Sequence, residues 1–273
     1  MATEIKAQVS VEEEATPGEN NLRMRVRLFF EKVSEVTLFT LQFFKEAFTP
    51  SFEVKEILKQ AYLIGYKTFP LVAITGFIMG LVLTIQSRPT LAEFGAESWL
   101  PAMVSVSIIR EIGPVITALI FAGKAGSGIG AELASMKVTE QIDAMEVSGI
   151  NPFKYLIVTR VVAATVMMPI LVIASDSIAL CGSFLGVNLK GDVSFHLFFI
   201  KAMEKLDFTD IIPALIKTVF FGFAVGIIAC YKGYNSNKGT EGVGESANSA
   251  VVFGSLAIFI LDMIAVQLTS LFS

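Results

Sequence analysis

Residues 156–181 read "LIVTRVVAATVMMPILVIASDSIALC", an apolar run in which Arg160 and Asp176 are the only charged side chains. An α-helix needs about 20 residues to cross the hydrocarbon core of a bilayer, and this run exceeds that. Four further runs do the same, at roughly 66–87, 99–123, 211–231 and 249–271. The chain as a whole is 53% hydrophobic and only 17% charged, with 23 Phe and a mean hydropathy of +0.67. Soluble domains carry about 25% charged residues. The pattern therefore predicts an all-α integral membrane protein with five transmembrane helices, because a lipid-exposed backbone has to satisfy its hydrogen bonds within the segment.

The basic residues give these spans an orientation. Those before the first span, Arg23 to Lys67, fall on one side with Lys124, Lys137, Lys154, Arg160, Lys232 and Lys238. Arg88, Lys190, Lys201 and Lys205 fall on the other. The positive-inside rule then sets the N-terminus in the cytoplasm and, after an odd number of spans, the C-terminus in the periplasm.

Three regions follow. Residues 1–20 contain "VEEEATPGEN", lack apolar periodicity, and are expected to form a disordered acidic tail. Residues 21–60 hold an amphipathic helix with Leu22, Val26, Phe29, Val33, Val36, Phe39, Phe43 and Phe44 near one face. Arg23, Arg25, Arg27 and Lys32 lie mostly off that face, as in a helix resting in the headgroup plane. Residues 61–273 form the transmembrane domain. No basic segment followed by an apolar core opens the chain, so no cleaved signal peptide is expected. Between spans three and four, "GSFLGVNLKGDVSFHLFFIKAMEKLDF" reads as an external loop with a short interfacial helix.

Between spans two and three, residues 132–152 read "ELASMKVTEQIDAMEVSGINP". Glu140, Asp143 and Glu146 recur at i, i+3 and i+6, which gathers acids on one side of a helix, and Met136, Ile142, Met145 and Ile150 supply apolar surface. Gly149, Asn151 and Pro152 end it. A cytoplasmic amphipathic helix with its own stop signal is built to dock on something.

The residues for catalysis are scarce. His196 is the single histidine, so no His-based triad or multi-His metal site can be assembled. Cys181 and Cys230 have no partner spacing and read as packing residues. "GKAGSGIGAE" departs from the phosphate-loop pattern and follows no strand, so no nucleotide site is predicted. Ala122, Gly126, Gly130 and Ala134 recur every fourth residue and predict instead a face for close helix packing. The acidic net charge of -4 argues against nucleic acid as a partner.

Within the second span, "IIREIGPVI" places Arg110 and Glu111 midway along an apolar helix. Charges at that depth cost at least a few kcal/mol each unless they meet water, protein partners or a ligand, which makes this pair the candidate substrate-binding site. Pro114 lacks an N–H and Gly113 loosens the same turn, so the helix should kink or open there and line a cavity. A mutual ion pair that fixes packing is the structural alternative. Asp176, Lys217 and Asp262 rank lower, Lys217 being able to snorkel and Asp262 to act as a packing polar group.

Taken together, "REIGPVITALIFAGKAGSGIGAELASMKVTEQIDAMEV" resembles the signature of the MlaE/YrbE permease family, the membrane subunit of lipid-transporting ABC systems that work with MCE-domain proteins. The similarity extends to "NPFKYLIVTRVVA" and "GVGESANSAVV"; Lys124 stands where the family usually has Arg. The resemblance implies that Glu140, Gln141, Asp143 and Glu146 belong to a coupling helix that docks on an ABC ATPase. It implies a homodimer with a central cavity for phospholipid, MCE proteins above it, an inner-membrane location, and no cofactor in this chain, ATP-Mg being held by the ATPase. The expected role is a non-enzymatic permease moving phospholipid between the inner membrane and an MCE carrier, in maintenance of outer-membrane lipid asymmetry. An ion-coupled secondary transporter or channel, with Arg110 and Glu111 as charge relay, is the alternative; the inverted repeats common in that class are not evident. A membrane-embedded lipid enzyme lacks a nucleophile and base set.

Overall fold

A computed structural model describes residues 17–49, 53–189, 193–236 and 239–272, with side chains of 17–29, 32, 271 and 272 left aside. Most of the expected acidic tail, residues 1–16, lies outside the described residues. Helix α1 is described over Pro17–Ala47. Val33, Leu38, Leu41 and Phe44 form exposed apolar surface on it.

Five helices are long and apolar enough to cross a membrane: Val54–Glu93, Glu97–Val138, Phe153–Asn188, Phe208–Tyr234 and Thr240–Ser270. The first is α2. The second is a composite of α3 (Leu100–Ser107), α4 (Gly113–Phe121) and α5 (Ser127–Val138), joined by π-helical turns at Ile108–Ile112 and Ala122–Gly126. A short helix α6, Gln141–Val147, follows it. The third has a π-helical first turn, Phe153–Val158, and continues as α7, Thr159–Asn188. Then come α8 (Phe195–Met203), α9 (Phe208–Tyr234) and α10 (Thr240–Phe272). Each helix overruns its apolar run at one end or both, because hydropathy marks only the stretch that needs lipid whereas backbone hydrogen bonding continues past it.

Of the five, α7 carries the most buried apolar window and α10 the least. α2 lies along α7 in the same direction with a constant offset of 99 residues: Thr84 Oγ1 donates to Ser183 Oγ at 2.7 Å, and Arg88 Nη1 to Val187 O at 3.0 Å. Small residues permit this approach. A side-chain carbon at Gly80 would strike the Ala179 carbonyl, and one at Gly182 the Phe77 carbonyl. This overturns the reading of residues 182–188 as loop. Gly182 and Gly186 do not break α7; they are where α2 comes closest.

The two ends of the bundle are closed differently. At one end α8 packs on α3, with Phe198 and Ala202 against Leu100, Val104 and Ile108, and Ser105 Oγ donates to Ala202 O at 2.6 Å. At the other end, Ile142 is fully buried and seats α6. The strand of chain after α6 is tied down by Asn151 Nδ2 to Glu46 Oε2 (3.2 Å), Lys154 Nζ to Thr49 O (3.0 Å) and Tyr155 OH to Glu56 Oε2 (3.3 Å).

Candidate functional site

The turn expected to open at "IIREIGPVI" does so as a π-helix. Pro114 offers no N–H, and the Gly113 N–H reaches back five residues to Ile108 O instead of four. The widened turn holds one residue more than an α-turn, and Arg110 and Glu111 both line one cavity of about 740 Å³. This volume falls in the range of small-ligand sites, about 300–1,000 Å³. Phe208, Asp210, Pro213, Ala214 and Lys217 of α9 and Ala265, Val266 and Thr269 of α10 are among the other residues of the wall.

The mutual pair of Arg110 and Glu111, the structural alternative raised by the sequence, is not made. Each finds its partner on another helix: Glu111 Oε2 lies 2.6 Å from Lys217 Nζ, and Arg110 Nη1 lies 3.6 Å from Asp210 Oδ1. Lys217 also donates to Asp262 Oδ1 at 3.0 Å. Lys217 is 6% exposed, so it does not snorkel. A lysine can pull its ammonium to the interface only when no acid is nearer, and here two are. Asp262, expected as a packing group, is the second of them.

Three acids thus share two cations around the cavity. Lys217 commits two of its three N–H donors to carboxylates, while the Arg110 side chain keeps 45% of its surface accessible and holds Asp210 loosely. A half-accessible guanidinium presents a planar fork that matches a phosphate or carboxylate, with Asp210 to be exchanged for it. The apolar part of the wall, Phe208, Ile212, Val266 and Leu268 among it, suits hydrocarbon. Asp210 carries no signal in the sequence beyond an acid in the first turn of a span; Lys217 and Asp262 carry one, each being an isolated charge within an apolar helix.

The other predicted residues lie elsewhere. Ala122, Gly126, Gly130 and Ala134 are all buried on the composite helix. A carbon added at Gly126 would meet Val225 of α9 at 3.1 Å, and one at Gly130 would meet Ala250 and the Ser246 carbonyl of α10 at 3.2 Å. Glu140, Gln141, Asp143 and Glu146 are exposed around α6. Glu140 precedes the helix in a left-handed conformation, φ 57°, so the three acids do not form one helical stripe. Asp143 Oδ1 is held by Lys137 Nζ at 2.9 Å. Gly149 ends the segment at φ 78°, a backbone conformation that glycine adopts without strain. Between this end and the cavity stands Arg160, 3% exposed, which pairs with Glu132 at 2.8 Å and donates to Leu156 O at 3.0 Å.

Residues 57–268 match the family model described as Permease MlaE. The chain is 37% identical over 249 residues to a probable ABC transporter permease protein of Rickettsia felis, covering 91% of this chain and 96% of that protein. It is 36% identical over 209 residues to the intermembrane phospholipid transport system permease protein MlaE of Haemophilus influenzae, covering 76% of this chain and 80% of that one. A probable ABC transporter permease of Synechocystis is 32% identical over 238 residues, 87% of this chain and 90% of the relative. With the family model covering most of its length, the chain belongs to the MlaE permease family.

Proposed function

We propose that this chain is the permease subunit of an ABC transporter that moves phospholipid between the inner membrane and an MCE-domain carrier, working as a homodimer and driven by ATP hydrolysis on a separate subunit. The observation that carries the reading is the cavity at Arg110 and Glu111, where an accessible guanidinium loosely held by Asp210 shares the wall with apolar side chains such as Phe208, Ile212, Val266 and Leu268. Those are the two surfaces a phospholipid presents, an anionic phosphate and hydrocarbon tails. The Haemophilus relative, a permease protein of an intermembrane phospholipid transport system, supports the same substrate class.

In this reading the chain does no bond chemistry itself. The exposed surface of α6, with Gln141, Glu146 and a Val147 that is 90% exposed, docks on the ATPase, which holds ATP-Mg. Closure of the ATPase pushes α6, and the ties from Asn151 to Glu46, Lys154 to Thr49 and Tyr155 to Glu56 carry the push to the chain leading into the first span and to that span's first turn. The poorly buried α10 supplies surface for a second copy. With this polarity α6 faces the cytoplasm and the cavity opens toward the periplasmic side.

The test is reconstitution of the assembled transporter with phospholipid bearing a photoreactive head group, with adducts mapped by mass spectrometry. ATP-dependent lipid transfer, with adducts at Arg110, Asp210 or Pro213, is expected. Transfer of lipid with no adduct on any cavity residue would remove the cavity from the path.

A further inference from the structure

A second cavity of about 230 Å³ lies on the far side of α9 from the first, and Ala214 lines both. Its walls come from Ile109 of the π-turn, from Val172 and Leu180 of α7, and from Ile211 and Leu215 of α9. Ile173, Ser177 and Met203, all exposed, rim it, so it opens on the side of the bundle, along the apolar length of a membrane span. Everything named so far is apolar except the Ser177 hydroxyl, which is spent on its own helix at Ile173 O.

The exception is Asp176. It lines this cavity, is 8% exposed, and its Oδ1 accepts no hydrogen bond from any described residue. The carboxyl lies against the α-carbon of Gly113, in the space a side chain there would fill. Lys217 is within electrostatic reach, but its ammonium donates to Glu111 and Asp262 instead. Buried polar atoms in folded proteins nearly always have a partner, and a buried carboxyl without one is costly. A membrane-facing apolar pocket with one unpartnered acid in its wall is complementary to an amphiphile whose polar end carries N–H donors and whose tail is a chain.

We infer that this side cavity is a second lipid site, distinct from the Arg110 cavity, which takes an acyl chain from the surrounding leaflet and binds a primary-ammonium head group through Asp176. A head group with a quaternary amine has the same charge but no N–H to give, so it is the matched negative. The inference concerns binding at this pocket and does not depend on which lipid, if any, the first cavity carries.

The experiment uses the full chain, with its partner subunits, in nanodiscs containing either phosphatidylethanolamine or phosphatidylcholine that bears a chain-end diazirine. Adducts are mapped on Ile173, Leu180 and Leu215, with residues of the first cavity read in the same digest. Phosphatidylethanolamine should label these positions about tenfold more than phosphatidylcholine, the ratio one charge-assisted hydrogen bond supports. Asp176→Asn should bring that ratio toward one, and Leu180→Trp, which fills the pocket, should remove both signals. No adduct at the three positions while the first cavity is labelled, or equal labelling of the unmodified protein by the two lipids, overturns the inference; the latter marks a carboxyl satisfied by water. Because the wild-type ratio decides the matter alone, failure of either variant to fold leaves the test intact.

Discussion

Lys217 Nζ stands 2.6 Å from Glu111 Oε2 and 3.0 Å from Asp262 Oδ1, so one ammonium fastens three spans together at the cavity. Removing one partner of a buried pair leaves the rest uncompensated, at about 3–5 kcal/mol. Lys217→Met should therefore lower the thermal midpoint in detergent sharply or prevent assembly, and Lys217→Met with Glu111→Gln should recover part of the loss. Equal stability of wild type and single variant would show that the three groups are independent.

Glu111→Gln alone keeps the shape and leaves Lys217 its bond to Asp262. We expect the protein to assemble with its ATPase while lipid transfer falls about tenfold, since about 1.4 kcal/mol of altered charge balance at the cavity has that effect. Transfer at the wild-type rate would assign Glu111 to packing only.

Glycine substitutions should rank by what they meet. A carbon at Gly80 runs into the Ala179 backbone, one at Gly130 into side chain and carbonyl at 3.2 Å, and one at Gly128 into nothing within 4 Å. Alanine at these positions should cost stability in that order, Gly128→Ala being neutral or slightly favourable through helix propensity. Leucine at Gly130 should disrupt far more than alanine. Thermal melting of the three alanine variants in one detergent checks the order, and a Gly80→Ala protein as stable as Gly128→Ala would contradict the close packing of α2 on α7.

Charge reversal of α6 should release the ATPase without unfolding the permease. Asp143 is already held by Lys137, so reversing it breaks an internal pair as well. Glu140→Lys with Glu146→Lys is the cleaner variant, together with Val147→Asp. Co-purification of the ATPase should be lost in both while the permease elutes at its normal size; retained co-purification would place the docking surface elsewhere.

The five spans were legible because an apolar run of sufficient length has no other stable use in a bilayer. The depth of Arg110 and Glu111 was legible for the same reason, and so was the disturbance that Pro114 brings to the turn. Their partners were not. Asp210 and Lys217 are about a hundred residues away along the chain, and which helix faces the π-turn is decided by small-residue packing that periodicity reports only as a possibility of close approach. Gly182 and Gly186 show the same limit from the other side: read along one helix they suggest a break, and only the neighbouring α2 shows why a missing side chain is needed. At α6 the spacing of the acids was right, but a left-handed residue at Glu140 removed the first of them from the helical stripe.

The extra residue held at Ile108–Ile112 is slack in a rod. Were the Gly113 N–H to move from Ile108 O to Ile109 O, that slack would be expelled, and α3 would turn by about 100° relative to α4. α3 cannot turn alone, because Ser105 fastens it to Ala202 and Phe198 packs against it. Nor could Arg110 and Glu111, which would turn with the joint, keep Asp210 and Lys217, which belong to α9. The polar lining of the cavity and the packing of α8 on α3 are thereby geared together, so that a change of register at this turn would loosen both in one stroke.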